Sequence, residues 1–226
     1  MERRGKKYRA VAEKIDKTKT YSMKKALALA VETSPTKFDA TVEIHARLGV
    51  DPRQADQNIR ATVTLPNGNG KTVRVAAFVA DTDADKLKQA GADLAGETEI
   101  LNLLDKENLP FDVLVATPAG MPKLGKYARL LGPKGLMPNP KSGTVAADPV
   151  KAVKEAKAGK VEYRVDKQAI VHLGIGKVSF GADKLADNAK VFLDSLSSNR
   201  PAGLKGNYIL SLAVSTTMGP GIKVAL

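Results

Sequence analysis

Residues 113–147 read VLVATPAGMPKLGKYARLLGPKGLMPNPKSGTVAA, and no acidic side chain occurs among them. Lys123, Lys126, Arg129, Lys134 and Lys141 are spread between Pro and Gly. Residues 112–117 (DVLVAT) are a short apolar run stopped by Pro118, which predicts a buried strand, and Met121 to Leu131 carries apolar residues at helical spacing. Gly132-Pro133-Lys134-Gly135 and Met137-Pro138-Asn139-Pro140 must end that helix. Each proline fixes its own φ, lacks a donor and moves its predecessor out of the helical region. The expectation is a strand, a helix and then a stiff basic loop, which costs less entropy to hold against a partner than a Gly/Ser linker. A solvated loop would show the same composition.

Outward from this stretch the pattern alternates. Strand VRVAAFVA (73–80), helices near 83–90 and 97–104, the strand at 112–117 and helix DPVKAVKEAKAG (148–159) predict an α/β unit on a small parallel sheet. The flanks read differently. Ser22 is placed to cap the helix MKKALALAVET, whose apolar face holds Leu27, Ala30 and Val31. Residues 40–50 (ATVEIHARLGV) put Val42, Ile44, Ala46, Leu48 and Val50 on one face and Glu43, His45 and Arg47 on the other, the mark of a half-buried strand. RATVTL (60–65), VEYRVD (161–166), AIVHLGIGKVSF (169–180) and GNYILSLAVSTT (206–217) are further strands, with a helix from Asp183, as its cap, to Ser195. Turn residues at 66–70 and Gly159 supply paired crossings, so a first domain of residues 1–67 plus 159–226 is interrupted by a second at 68–158.

Thirty-six Lys and Arg face 24 Asp and Glu, a formal charge of +12, and 43% of residues are hydrophobic. A folded protein with a polyanionic partner follows, nucleic acid before an anionic membrane. Thirteen basic and eleven acidic residues fall in 68–158, so most of the positive field belongs to the flanking pieces. No apolar stretch approaches the roughly 20 residues that cross a bilayer, and MERRGKKYRA is not followed by a signal-like core, so the cytoplasm is the expected location. The absence of cysteine excludes disulfides and thiolate chemistry.

Enzymatic signatures are missing. Gly70-Lys71-Thr72 and Gly174-Ile175-Gly176-Lys177 lie next to strands where a phosphate loop needs a helix N-terminus, and no G-x-G-x-x-G opens a helix. His45 and His172, the two histidines, have no metal spacing and read as structural or surface groups. No catalytic residue, metal site or cofactor is expected; the chain reads as a binding protein. With neither a helix-turn-helix nor an aromatic RRM motif, RNA shape and backbone are favoured over DNA sequence. Lys37-Phe38 precedes the long strand: a Phe there is most often core, yet an exposed ring beside Lys is a platform for a ribose or base. Ser215-Thr216-Thr217-Met218-Gly219 offers hydroxyls, a soft apolar wall and a Gly that permits close approach to 2′-hydroxyls, or equally a polar turn.

MPKLGKYARLLGPKGLMPNPKSGTV (121–145) closely resembles the signature segment of the ribosomal protein L-one family, bacterial type, and the likeness runs over nearly the whole chain. The resemblance implies an α+β split domain carrying both termini, interrupted by an inserted α/β domain of Rossmann-like, three-layer form. It implies a structural protein, monomeric when free, in the large ribosomal subunit, bound to the rRNA of the mobile stalk beside the tRNA exit site. It further implies help in releasing deacylated exit-site tRNA and repression of translation from its own operon mRNA. It places the Thr-Met-Gly run and the Lys-Phe entrance to the long strand together and, matched by residue, assigns RNA contact to Lys37, Phe38, Thr41, Ser211, Thr217, Met218 and Gly219, with Lys167 nearby. Lys123, Lys126, Lys134 and Lys141 are expected to form a secondary RNA-facing surface. Family members often carry an acidic residue in place of Ala40 and a basic one in place of Leu210, so one phosphate interaction is expected to be missing at Leu210. A general RNA chaperone acting through charge alone is the alternative.

Overall fold

The computed structural model describes residues 5–16 and 18–225. In chain order its elements are α1 (Lys6–Ala12), α2 (Met23–Glu32), β1 (Thr41–Leu48), β2 (Arg60–Thr64), β3 (Val75–Phe78), α3 (Ala84–Gln89), β4 (Leu94–Ala95), α4 (Glu97–Asp105), β5 (Val113–Ala116), α5 (Met121–Leu124), α6 (Ala128–Leu131), α7 (Pro149–Lys157), β6 (Lys160–Arg164), β7 (Ile170–Lys177), α8 (Gly181–Ser198), β8 (Ile209–Thr216) and β9 (Ile222–Val224). The chain is of mixed α/β class and divides into two compact units, one of residues 1–70 with 162–226 and one of residues 71–161.

In the first unit β7, β1, β8 and β9 form an antiparallel sheet in that order. Its strands alternate because one face is dry and the other is not. Val42, Ile44, Ala46 and Leu48 are buried, as are Val171 and Leu173 beside them and Leu212 and Val214 on the other side. α2 and α8 pack on that face, presenting Ala26, Leu27 and Ala30 from α2 and Leu185, Ala189, Phe192 and Leu196 from α8. Tyr163 meets Phe192 edge to face at 5.3 Å. Asn188 is a fully buried polar residue whose amide holds the turn after β2: its Oδ1 accepts from Asn67 N at 3.1 Å, and its Nδ2 donates to the carbonyls of Gly68 at 2.9 Å and Ile175 at 2.7 Å. β2 and β6 pair as a separate two-stranded sheet.

The second unit has a parallel sheet in the order β4, β3, β5. Successive residues of β3 point to opposite faces, and both faces are buried. Val75, Ala77 and Val115 pack with Leu87 of α3 and Ala152, Val153 and Ala156 of α7. Ala76, Phe78, Leu114 and Ala116 pack with Ile100 and Leu104 of α4, Leu124 of α5 and Leu131 of α6. Asp148 caps α7 through its side chain, accepting from Val150 N and Lys151 N.

Several local expectations are corrected. The helix predicted over 121–131 is two four-residue turns, α5 and α6, joined by a 3-10 turn at Gly125–Tyr127. Pro122 is the second residue of α5, where its missing donor costs nothing. Ser22 does precede α2, but its side chain caps nothing; its carbonyl accepts from Ala26 N at 2.8 Å. Asp183 lies in the first turn of α8, which begins earlier, after Phe180. The strand expected to be the last is followed by a further one, β9, which pairs with β8.

Candidate nucleic-acid interface

The face of the four-stranded sheet opposite α2 and α8 is open. Register places Glu43, His45 and Arg47 of β1 opposite Gly174, His172 and Ile170 of β7 on one side, and opposite Ser215, Ala213 and Ser211 of β8 on the other. Lys223 of β9 continues the row beside Ala213. The face is largely polar, and Gly174, Ser211, Ala213 and Ser215 are small residues set among the larger Glu43, His45, Arg47, His172 and Lys223.

At one end lie residues 37–41 and 217–219. Thr217 clamps the start of β1: its N–H donates to Thr41 O at 3.1 Å and its Oγ1 accepts from Thr41 N at 3.1 Å. Its hydroxyl therefore serves the backbone. Thr41 Oγ1 in turn accepts from Lys177 Nζ at 3.0 Å. Asp39 binds Ser179 through N–H at 3.0 Å and Oγ at 2.7 Å, and these bonds hold its carboxyl below the usual range. This scaffold leaves two large apolar side chains in solvent, Phe38 at 59% exposure and Met218 at 60%. Together with Lys7, Tyr8, Pro35 and Thr36 they line a shallow hollow of about 480 Å³. Lys37 is exposed beside it. Gly219 donates to Thr216 O at 3.0 Å, and a Cβ at this position would come 2.1 Å from Thr216 Oγ1, so the tight turn requires Gly.

The assigned residues do not all gather there. Ser211 pairs with Arg47, at the far end of β1 from Thr41. At about 3.3 Å per residue the separation is about 20 Å. Lys167, expected near the Thr-Met-Gly turn, belongs to this second end as well: it precedes β7, whose Ile170 pairs with Arg47. It lines another hollow, of about 390 Å³, with Asn58, Arg60, Arg164, Val165 and Asp166. Leu210 is 48% exposed at the same end, and Ala40 at the first end is wholly buried.

Between the ends sits a pair far apart in the sequence. His45 and His172, 127 residues apart, face each other with Nδ1 atoms at 2.7 Å. His45 Nε2 lies 2.9 Å from Ser215 Oγ, and His172 Nε2 lies 3.4 Å from Asp166 Oδ2. Burial, then the neighbouring His172, push His45 below the ordinary histidine range against the opposing pull of Glu43. Partial burial works against ionisation of Asp166, but N–H donors from Ile170 and Gln168 and the His172 ring outweigh it and keep its carboxyl low. Arg47 and Lys177 are further cations on this face that belong to no motif. Arg47 is signalled by its place on the polar side of an alternating strand, whereas Lys177 shares the parity of the buried Val171, Leu173 and Ile175 and reaches Thr41 only through the register shift between Val42 and Glu43.

In the second unit Lys123 is paired with Glu97, while Lys126, Lys134 and Lys141 are exposed. The loop is held from within: Asn139 Oδ1 accepts from Lys141 N at 2.8 Å, and Thr144 Oγ1 accepts from Asn139 N at 2.8 Å. Among the described residues, no group of three or more His, Asp or Glu is arranged to hold a metal ion.

The model of the ribosomal protein L1p/L10e family matches residues 30–220. The chain is 54% identical over 224 residues, covering 99% of it and 97% of the relative, to the large ribosomal subunit protein uL1 of Macrococcus caseolyticus. To the large ribosomal subunit protein uL1 of Lactobacillus gasseri it is 53% identical over 222 residues, covering 98% and 96% respectively.

Proposed function

The chain belongs to the ribosomal protein L1p/L10e family, and from that premise we propose that the open face of its four-stranded sheet is the seat for the large-subunit rRNA of the mobile stalk. The protein is a structural, non-enzymatic component of the large ribosomal subunit. The observation that carries the rRNA proposal is the pair of solvent-exposed side chains Phe38 and Met218, held beside Lys37 by the Thr41–Thr217 clamp. Large apolar groups left in water on a cationic, hydroxyl-rich surface match a nucleic acid, which offers stacking faces, ribose edges and phosphates together. The split unit, with Lys37, Phe38, Thr41, Ser211, Thr217, Met218, Gly219 and Lys167, sets affinity. The inserted unit, of Rossmann-like three-layer form, modulates it through Lys123, Lys126, Lys134 and Lys141.

On the ribosome this surface anchors the protein beside the exit site, where it assists departure of deacylated tRNA. A messenger that mimics the rRNA site would occupy the same face, which is the basis for repression of its own operon. Binding to a folded stalk-rRNA fragment, against an equal-length unrelated duplex, is measured across a salt series for the wild type and for Thr217→Ala with Met218→Ala. The expected result is a strong preference for the stalk fragment that the double variant loses. Equal binding to both RNAs, with a steep salt slope and an indifferent variant, would mean that charge alone binds, as in a general RNA chaperone.

A further inference from the structure

We propose that His45, His172 and Ser215 form a one-proton switch on this face: uptake of a single proton turns the Ser215 hydroxyl outward and tightens RNA binding. The inference rests on the reading of the open sheet face as the RNA interface.

The hydrogen count along the row gives the mechanism. An ionised Asp166 only accepts, so His172 carries its hydrogen on Nε2 and its Nδ1 is an acceptor while the ring is neutral. The 2.7 Å contact then places the His45 hydrogen on Nδ1, donating to His172. His45 Nε2 is left as an acceptor, and Ser215 Oγ–H at 2.9 Å must donate to it. All groups are satisfied, and the hydroxyl hydrogen points into the protein.

A proton from solvent reverses the row without a ring flip. Ser215 takes it while passing its own hydrogen to His45 Nε2, and His45 passes its Nδ1 hydrogen to His172. His172 becomes the imidazolium, donating to Asp166 and to His45 Nδ1; His45 stays neutral and donates to Ser215 Oγ. The hydroxyl now directs its hydrogen away from the ring, towards whatever covers the sheet. A phosphate or ribose oxygen there gains a donor and a nearby positive charge. A second proton is not accommodated, because two N–H groups would then face each other across 2.7 Å.

The surroundings favour this placement of charge. His45 is the less exposed ring, 27% against 51% for His172, and is held below the ordinary range. Glu43 on β1, with Oε2 4.0 Å from His45 Nε2, and Asp166 before β7 attract the proton. Arg47 on β1, Lys167 before β7 and Lys223 on β9 oppose it. Behind the rings the strands present Ile44 and Leu173, both buried and uncharged.

The test pairs two measurements on the full chain. Affinity for a folded stalk-rRNA fragment is followed from pH 5.5 to 8 at fixed ionic strength, and the imidazole nitrogens of the free protein are titrated by NMR. Expected are an affinity gain of about tenfold on acidification, equivalent to a shift of one pKa unit on binding, and one proton shared by both rings. His172→Gln should flatten the pH profile, and Ser215→Ala should reduce its amplitude. Two rings that titrate independently, or wild-type affinity that is flat with pH, would overturn the switch while leaving the interface standing. No RNA binding at any pH would overturn the interface and the switch's effect on RNA together, whatever the NMR titration shows.

Discussion

Among the described residues the four-stranded antiparallel sheet has helices α2 and α8 packed on one face, while the three-stranded parallel sheet is covered on both. The first can therefore use its strands as a binding surface; the second must work through its loops. Charge follows the same division, since residues 71–161 hold fourteen basic against eleven acidic side chains and the remainder of the chain carries most of the +12. What separates the units is thus which of them leaves backbone-deep, polar sheet surface in water, and the basic loop that dominates the sequence belongs to the unit that does not.

The largest expected effect that tests this contrast is on the sealed sheet. Phe78→Ala removes a ring that is 1% exposed between α4 and α5 and should cost about 3–5 kcal/mol of that unit's stability in denaturant unfolding. Stalk-rRNA affinity should change little at temperatures where the unit stays folded; a parallel collapse of affinity would break the division of labour. Asn188→Ala removes three hydrogen bonds, one buried and two partly buried, from the other unit and should destabilise it by about 1–3 kcal/mol. On the open face, Phe38→Ala should weaken RNA binding by about 1–3 kcal/mol, the range for removal of base stacking, with the melting temperature unchanged. Lys134→Ala with Lys141→Ala should lower the salt slope of RNA binding by about one for each phosphate that these cations neutralise, and leave it unaltered if they meet no RNA. The smallest change concerns acid. Asp39, Asp93, Asp112 and Glu155 all have carboxyls held below their ordinary values by hydrogen-bonding partners. A depressed pKa stabilises the folded state above the unfolded value, so stability should fall progressively as pH drops below about 4, measurable as a falling melting temperature.

Much of the fold could be read from period alone. The alternation of residues 41–48 and the two-faced burial of 75–78 are set by which sheet faces are covered, and both patterns are visible in a line of letters. The end of the apparent helix at 121–131 was legible, but its internal break was not, because helical spacing does not distinguish an α-turn from a 3-10 turn. β9 escaped because Ile222-Lys223-Val224 after a Pro-Gly pair alternate over only three residues, too few to establish a period. In the site, the Lys37-Phe38 and Thr217-Met218 segments are readable as chemistry, yet that Thr217 uses its hydroxyl on Thr41 is a fact of register. His45 and His172 each looked ordinary. Their meeting depends on β1 and β7 pairing in one particular alignment, with a bulge between Val42 and Glu43, and strand pairing across 127 residues has no local signature.

The strand order β7, β1, β8, β9 also sets a timetable. β1 is made early, but both of its neighbours come from the last quarter of the chain. During synthesis, β3, β4, β5 and their helices have everything they need well before β8 exists, since domains fold as units from the N-terminal side. A nascent or prematurely terminated chain ending before Ile209 has nothing to pair with one edge of β1 and no Thr217 to clamp its entry. Synthesis of β8 and of the turn that follows it is thus the step that creates the open face, and a copy that lacks them has no such surface to offer any ligand.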